Sequence, residues 1–303
     1  MSSAGISPQA EIAPGVVIEA DEVTIAAGVK LLPGTVLRGK SIRIDRRAEL
    51  GPDVRIDCRE VVIGEETMLR ARVTAAGLAL PDSRLELGRR VRVFQDTFLN
   101  PSKPLVVGDE SGLGGRSLIF THAAWQSILE GYPVEFAPIT IGRNVWLPWQ
   151  VFVLPGVEIG DDVTVAAGSV VSRSIPGGSL AAGYPARVLK RAPDYPPTPP
   201  PEEQWEIARR VFRDLAWFLT ERGETVTASE GDGWLSLGRV ALVRDAAVAV
   251  PAGAEVVAAL HGRPASGDTW LALLDRERGG EETALAEAVA EFVSRFGLRF
   301  QRV

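Results

Sequence analysis

From Ile141 to Pro176 the chain divides without remainder into six-residue words: IGRNVW, LPWQVF, VLPGVE, IGDDVT, VAAGSV and VSRSIP. The first position of every word is aliphatic (Ile141, Leu147, Val153, Ile159, Val165, Val171). The fifth runs Val145, Val151, Val157, Val163, then a small Ser169 and Ile175. An amphipathic helix would need apolar residues three and four apart, and a half-buried strand would need strict alternation. A period of six satisfies neither. It predicts a solenoid in which a short strand and a turn repeat and one side chain per word points inward. Three words make one triangular coil, so this block supplies about two coils.

The same rhythm runs through the N-terminal half. Ile12 and Ile18 are in phase, and Ile25 follows after a slip of one residue; Ile44, Leu50 and Ile56 restore the spacing, and Ile63 and Leu69 follow another slip. Such slips fit corner loops, which bulge outward without moving a core. Val73 to Arg84 breaks the pattern and predicts an external loop. Leu87, Val93 and Leu99 resume it, NPSKPLV interrupts, and Val107, Leu113 and Ile119 resume again before the largest excursion, Thr121 to Ala137. The repeat ends at Ser179 to Lys190.

Pro193 to Pro201 holds six prolines in nine residues, a semi-rigid spacer. Beyond it the texture changes. Glu202 to Arg222 reads as an amphipathic helix with Trp205, Ala208, Val211, Phe212, Leu215 and Phe218 on one face. Short apolar runs (WLSL, VALV, AVAV, EVVAAL, WLALL) predict strands, Glu281 to Arg295 a second helix, and FGLRFQRV a last strand. The expected division is therefore a β-solenoid over 1–192, a linker over 193–201, and a small α+β domain over 202–303 that carries no recognised motif.

Composition narrows the class. Aromatic residues are only 7% of the 303, whereas Gly (31) and Pro (21) are plentiful, which suits a thin aliphatic core with tight corners. A net charge of −6 argues against a nucleic-acid partner. The single cysteine, Cys58, excludes an intrachain disulfide. No run approaches the 18 apolar residues of a membrane span, and the N-terminus lacks the pattern of a secretory signal, so a cytoplasmic location is expected.

The words at 141–176, with PITIGRNVW entering them and AAGYPARV leaving them, resemble the hexapeptide-repeat acyltransferases, nearest the galactoside and maltose O-acetyltransferase group. Further matching elements are Thr121-His122, the loop that follows, the PGVEIG word from Pro155 and AGSVV from Ala167 to Val171. The resemblance covers about 105–192 well, 12–104 only through the repeat, and 202–303 not at all. It implies a mainly β fold, a left-handed parallel β-helix, working as a homotrimer. It also implies transfer of an acetyl group from acetyl-CoA to the hydroxyl of a small molecule, with no metal.

By that resemblance His122 is the general base, a role imidazole suits because its ordinary pKa lies near neutrality. Ala167 lies beside the pantetheine arm, Ser172 and Arg173 match a pair at the nucleotide end, and Arg187 and Lys190 match basic positions near the adenosine phosphates. Phosphates want guanidinium or ammonium partners. Two departures stand out. Trp149 takes the place of a small residue beside the cofactor, where an indole either stacks on pantetheine or narrows the groove. The acceptor-binding residues of the group have no clear counterpart; Asn100 is the candidate for orienting the acceptor.

Other readings stay open or close on particular residues. An N-acetyltransferase acting on an amino sugar would use the same base. A γ-type carbonic anhydrase needs three histidine ligands on zinc and the chain has two histidines, so that reading closes. A non-catalytic trimeric scaffold displaying the C-terminal domain remains, and Trp149 is the residue that keeps it open.

Overall fold

Leu31 stands beside Leu50 in parallel register, and Leu50 beside Leu69, each pair 19 residues apart. From Thr140 onward the step shortens: Thr140 pairs with Glu158, Trp146 with Thr164 and Phe152 with Val170, each 18 apart. These steps are three six-residue words with or without one extra corner residue. In the 19-residue coils the extra residue is Asp21 in one turn and Lys40 in the next, between the paired positions Ala20–Gly39 and Glu22–Ser41. Two longer steps mark the insertions. Leu69 pairs with Val93, 24 on, which accommodates the loop before Arg84; Leu113 pairs with Leu147, 34 on, which accommodates the excursion after Thr121. The structure, a computed structural model, describes residues 5–264 and 266–303.

The chain forms two compact units, Met1–Pro197 and Thr198–Val303. The first is a parallel β-helix with three faces. A first face carries the strands Arg92–Val93, Gly112–Leu113, Trp146–Leu147 and Thr164–Val165. A second carries Phe98–Asn100, Leu118–Phe120, Phe152–Val153 and Val170–Val171. A third carries Arg84–Leu87, Leu105–Val107, Ile139–Ile141 and Glu158–Ile159. The first residue of each word from Ile141 to Val171 is buried as expected, and so is the fifth, from Val145 to Ile175, so two side chains per word point inward rather than one. Where the inward position is a hydroxyl it ties one coil to the next: Ser111 donates to the Gly142 carbonyl at 2.8 Å and accepts from Val145 N–H at 2.9 Å. The coil ends in an antiparallel hairpin, Ser179–Gly183 against Ala186–Arg191.

One corner carries a ladder of alternating charge. Arg47, Glu66, Arg90, Glu110, Asn144 and Asp162 each sit at φ between 54° and 63°. That left-handed conformation costs an L-residue roughly 1–2 kcal/mol. Their side chains link adjacent coils: Arg47 to Glu66, Arg90 to Glu110, and Asn144 Nδ2 to Asp162 Oδ1 at 2.8 Å. A parallel column runs beside it, Arg46 to Glu65, Arg89 to Asp109 and Arg143 to Asp161.

The second unit opens with helix α1 (Pro201–Glu221), followed by strands and helix α2 (Ala284–Ser294). Pro201 is the first helical residue rather than the last of the spacer, as proline at the first turn allows. The buried face of α1 is the predicted one, extended by Leu219. Seven strands form one mixed sheet, and both helices share a hydrophobic cluster with it. The AVAV run is not a strand; Val248 and Val250 lie in the loop before Pro251 and pack against Val243, Val257 and Ala259. The expected last strand shortens to Gln301–Arg302. No helix among the described residues is long and apolar enough to cross a membrane.

Candidate active site

On the second face Asn100 pairs with Phe120, which places Asn100 beside the point where the chain leaves the coil. Thr121, fully buried, makes the exit rigid: its Oγ1 donates to the Asn100 carbonyl at 2.6 Å and accepts from Lys103 N–H at 2.9 Å. His122–Ala123 then pairs antiparallel with Glu135–Phe136, and a single 3-10 turn at Ile128–Glu130 lies in the loop between them. Ala137 N–H donates to the Thr121 carbonyl at 3.0 Å, closing the base of this hairpin. His122 therefore sits on clamped backbone although it begins an excursion.

The imidazole is held on its Nδ1 side. Nδ1 lies 2.8 Å from Asn100 Oδ1 and 3.4 Å from Ser102 Oγ. Phe136 stacks on the ring, and Phe120 approaches it from the coil at 6.3 Å between centroids. Phe120 in turn meets Phe98 and Phe152. His122 is half-buried, in apolar walls with one bonded nitrogen.

Asn100 is where expectation and structure differ. It is 4% exposed, and its Nδ2 donates to the Ala76 carbonyl at 3.1 Å while Oδ1 accepts from Ser102 Oγ–H at 2.9 Å. Its polar atoms face His122 and the coil, so it is not presented to an acceptor. Ser102 and Phe136 were missed by sequence reasoning. The signal for Ser102 was present: Asn-Pro-Ser after a strand is turn chemistry, and Ser102 N–H points back to Asn100 Oδ1 at 3.4 Å.

The other predicted residues fall at three places. By register Phe120, Leu154 and Ser172 follow one another on successive coils, since Ile119 pairs with Val153 and Val153 with Val171. Ser172 and Arg173, both exposed, thus lie two coils along the edge that carries His122, about 10 Å at about 4.8 Å per coil. Trp149 and Ala167 sit together at the opposite end of the second face, where Gly168 N–H donates to the Trp149 carbonyl at 3.0 Å. Arg187 and Lys190, exposed, are on the terminal hairpin, opposite Ala182 and Leu180. One chain does not bring Ser172 and Arg173 to the corner of Trp149 and Ala167.

Trp149 has a defined seat. Its ring overlies Gly115 so closely that a Cβ there would lie 2.1 Å from it, and Phe94 touches it at 6.2 Å between centroids. Trp146 sits likewise over Gly112 and edge-on to Phe94. Trp149 is 42% exposed. No group of three or more His, Cys, Asp or Glu gathers among the described residues in a way that could hold a metal ion.

Parts of the chain are similar to known proteins. The family description "bacterial transferase hexapeptide (six repeats)" matches residues 138–173. The galactoside O-acetyltransferase of Escherichia coli K12 is 30% identical over 173 residues, covering 54% of this chain and 82% of that protein. Among solved structures, a maltose O-acetyltransferase from Clostridium difficile 630 is 26% identical over 50% of this chain and 67% of its own, with a TM-score of 0.31. A hexapeptide-repeat acetyltransferase of Vibrio cholerae O1 biovar eltor, solved with acetyl coenzyme A, is 21% identical over 53% of this chain and 70% of its own, with a TM-score of 0.30.

Proposed function

The chain belongs to the hexapeptide-repeat acyltransferase family, and on that premise we propose that it moves an acetyl group from acetyl-CoA to a hydroxyl of a sugar or sugar-bearing small molecule, with His122 as general base. The observation that carries the reading is the hold on His122: Nδ1 on Asn100 Oδ1, one ring face on Phe136, and Nε2 left for chemistry. In the step proposed, Nε2 takes the proton of the acceptor hydroxyl as its oxygen bonds to the thioester carbonyl carbon. Backbone N–H groups at the coil edge receive the oxyanion. Collapse breaks the carbon–sulfur bond, and the imidazolium returns its proton to the departing thiolate, giving free CoA thiol and the acetyl ester.

We further propose that the site is completed between copies, in a homotrimer. His122 with Ser172 and Arg173 occupies one corner, while Trp149 and Ala167 occupy another, so one groove lined by both needs corners of two copies. The hairpin supports this: Trp125 is 97% and Leu129 95% exposed, an apolar tip that a second copy would cover. Arg173, Arg187 and Lys190 are assigned to the nucleotide and phosphate end of acetyl-CoA on charge, and Ser172 to the same end as the neighbour of Arg173.

The test is release of free CoA thiol across a panel of sugar and amino-sugar acceptors, with wild type and His122→Ala. Loss of a general base costs about two to four orders of magnitude in kcat. A variant that keeps more than about a tenth of wild-type kcat removes His122 from the mechanism. Preferential turnover of amino sugars moves the assignment from O- to N-acetylation. Sedimentation showing a stable monomer at micromolar concentration removes the shared groove.

A further inference from the structure

We propose that Asn100 is a positioning residue that fixes the tautomer of His122, presenting Nε2 unprotonated, and that Ser102 fixes Asn100. The proposal rests on the reading of His122 as the base. The orientation of the Asn100 amide follows from its neighbours without reference to the histidine. Nδ2 faces the Ala76 carbonyl at 3.1 Å, an acceptor; Oδ1 faces the N–H and Oγ–H of Ser102 at 3.4 and 2.9 Å, both donors. A flipped amide would set oxygen against oxygen on one side and N–H against N–H on the other. The Ser102 hydroxyl is itself committed, because its oxygen accepts from Leu78 N–H at 2.8 Å and its proton points to Oδ1.

Oδ1 can only accept, and it lies 2.8 Å from His122 Nδ1. That contact requires a proton on Nδ1, since the other tautomer would place two lone pairs against each other. The imidazole is thereby held with its basic nitrogen on Nε2, the ring nitrogen not bonded to Asn100. The holder is an amide rather than a carboxylate, so it orients the ring without adding charge. Among the described residues no carboxylate is hydrogen-bonded to His122, so the imidazolium formed in the transfer step has no paired anion, which favours return of the proton to the leaving thiolate. Among the described residues, Lys103, next to Ser102 in the chain, pairs through Nζ with Asp82 at 3.0 Å, and Glu135 lies across the hairpin from Ala123. Neither is hydrogen-bonded to the imidazole. The close floor is provided by Gly77, where a Cβ would lie 2.6 Å from Ser102 Oγ and 3.1 Å from Asn100 Nδ2.

The chain has two histidines, so nitrogen-15 NMR of the full-length protein resolves each ring, and loss of a signal in His122→Ala assigns His122. Wild type is expected to show the Nδ1–H tautomer at His122. Asn100→Ala should show a mixture, with kcat down by about one to two orders of magnitude and acetyl-CoA affinity unchanged, the size expected when the base is present but loosely aimed. Asn100→Asp places a carboxylate on Nδ1 and should raise the acid limb of the kcat/KM profile by about one pH unit or more, with activity recovering above it. Ser102→Ala should show part of the Asn100→Ala effect. An Nε2–H tautomer in the wild type overturns the proposal, as does Asn100→Ala with a wild-type tautomer and pH profile. The wild-type tautomer needs no variant to fold, and it is read independently of activity. A failure of the catalytic reading, an active His122→Ala, is therefore distinguishable from a failure of this one.

Discussion

Phe136 lies face to face on His122, with ring centroids 5.4 Å apart and planes 14° from parallel. The two residues are paired across the hairpin, so the strand that returns the chain to the coil also provides a wall for the base. Offset aromatic pairs contribute about 0.5–1.5 kcal/mol beyond area. Phe136→Leu keeps apolar volume and loses the stack. We expect kcat to fall about threefold to tenfold with the KM for acetyl-CoA unchanged. Unchanged kcat would mean the ring is held by Asn100 alone.

The corner ladder predicts a contrast between two ion pairs of the same type. Arg90 and Glu110 are 14% and 12% exposed in their side chains, whereas Arg143 and Asp161 are 63% and 49% exposed. Removing one partner of a mostly buried pair strands the other, so Glu110→Gln should cost about 2–4 kcal/mol in urea unfolding. Arg143→Ala should cost about 0.5 kcal/mol or less, because exposed pairs are screened. The Arg143 backbone N–H, and then its guanidinium, hold the Asp161 carboxyl below its ordinary 3.8. Its contribution is present above that value and lost as pH falls through the lowered one. Equal costs for the two substitutions would show that burial does not grade the ladder.

The fold was legible because period six determines which residue points inward, and Ile141, Leu147 and Val153 did so without help from context. The pocket around His122 was not, for a related reason. Asn100 is on the outward side of its strand, and its partner is 22 residues away across a coil of altered length. Which outward residues meet depends on the register after the insertion before Arg84, and that register is set by main-chain pairing, such as Leu85 with Val61, rather than by pattern. The tail shows the opposite limit. AVAV has strand composition, yet Pro251 and Gly253 turn it into a loop covering Val257.

A fragment ending at Pro197 should fold. The core cluster from Ile25 to Ala181 draws only on the first unit, and the cluster from Trp205 to Phe300 only on the second. The fragment is expected to unfold cooperatively and to keep acetyl-CoA affinity within about threefold of the full chain, less than 1 kcal/mol. Insolubility, or loss of binding, would make residues 198–303 part of the functional body.

Trp149 gives the last prediction, because its seat decides what its removal does. The indole is supported by Gly115 and touched by Phe94, which leaves 42% of the residue exposed. If that exposed part lies along pantetheine, Trp149→Ala loses one stacking contact of about 0.5–1.5 kcal/mol, and acetyl-CoA binds about threefold to tenfold more weakly. The substitution also uncovers Gly115 and Phe94, so melting must be followed beside calorimetric titration; a lowered melting temperature alone does not account for weaker binding by protein that is still folded. Tighter binding by the alanine variant would mean that the indole obstructs the groove. The basic positions Arg173, Arg187 and Lys190 favour stacking, since they have an anionic partner to hold only if the groove beside them is open. A gain in affinity would therefore overturn both the role of Trp149 and the phosphate assignment of those three residues.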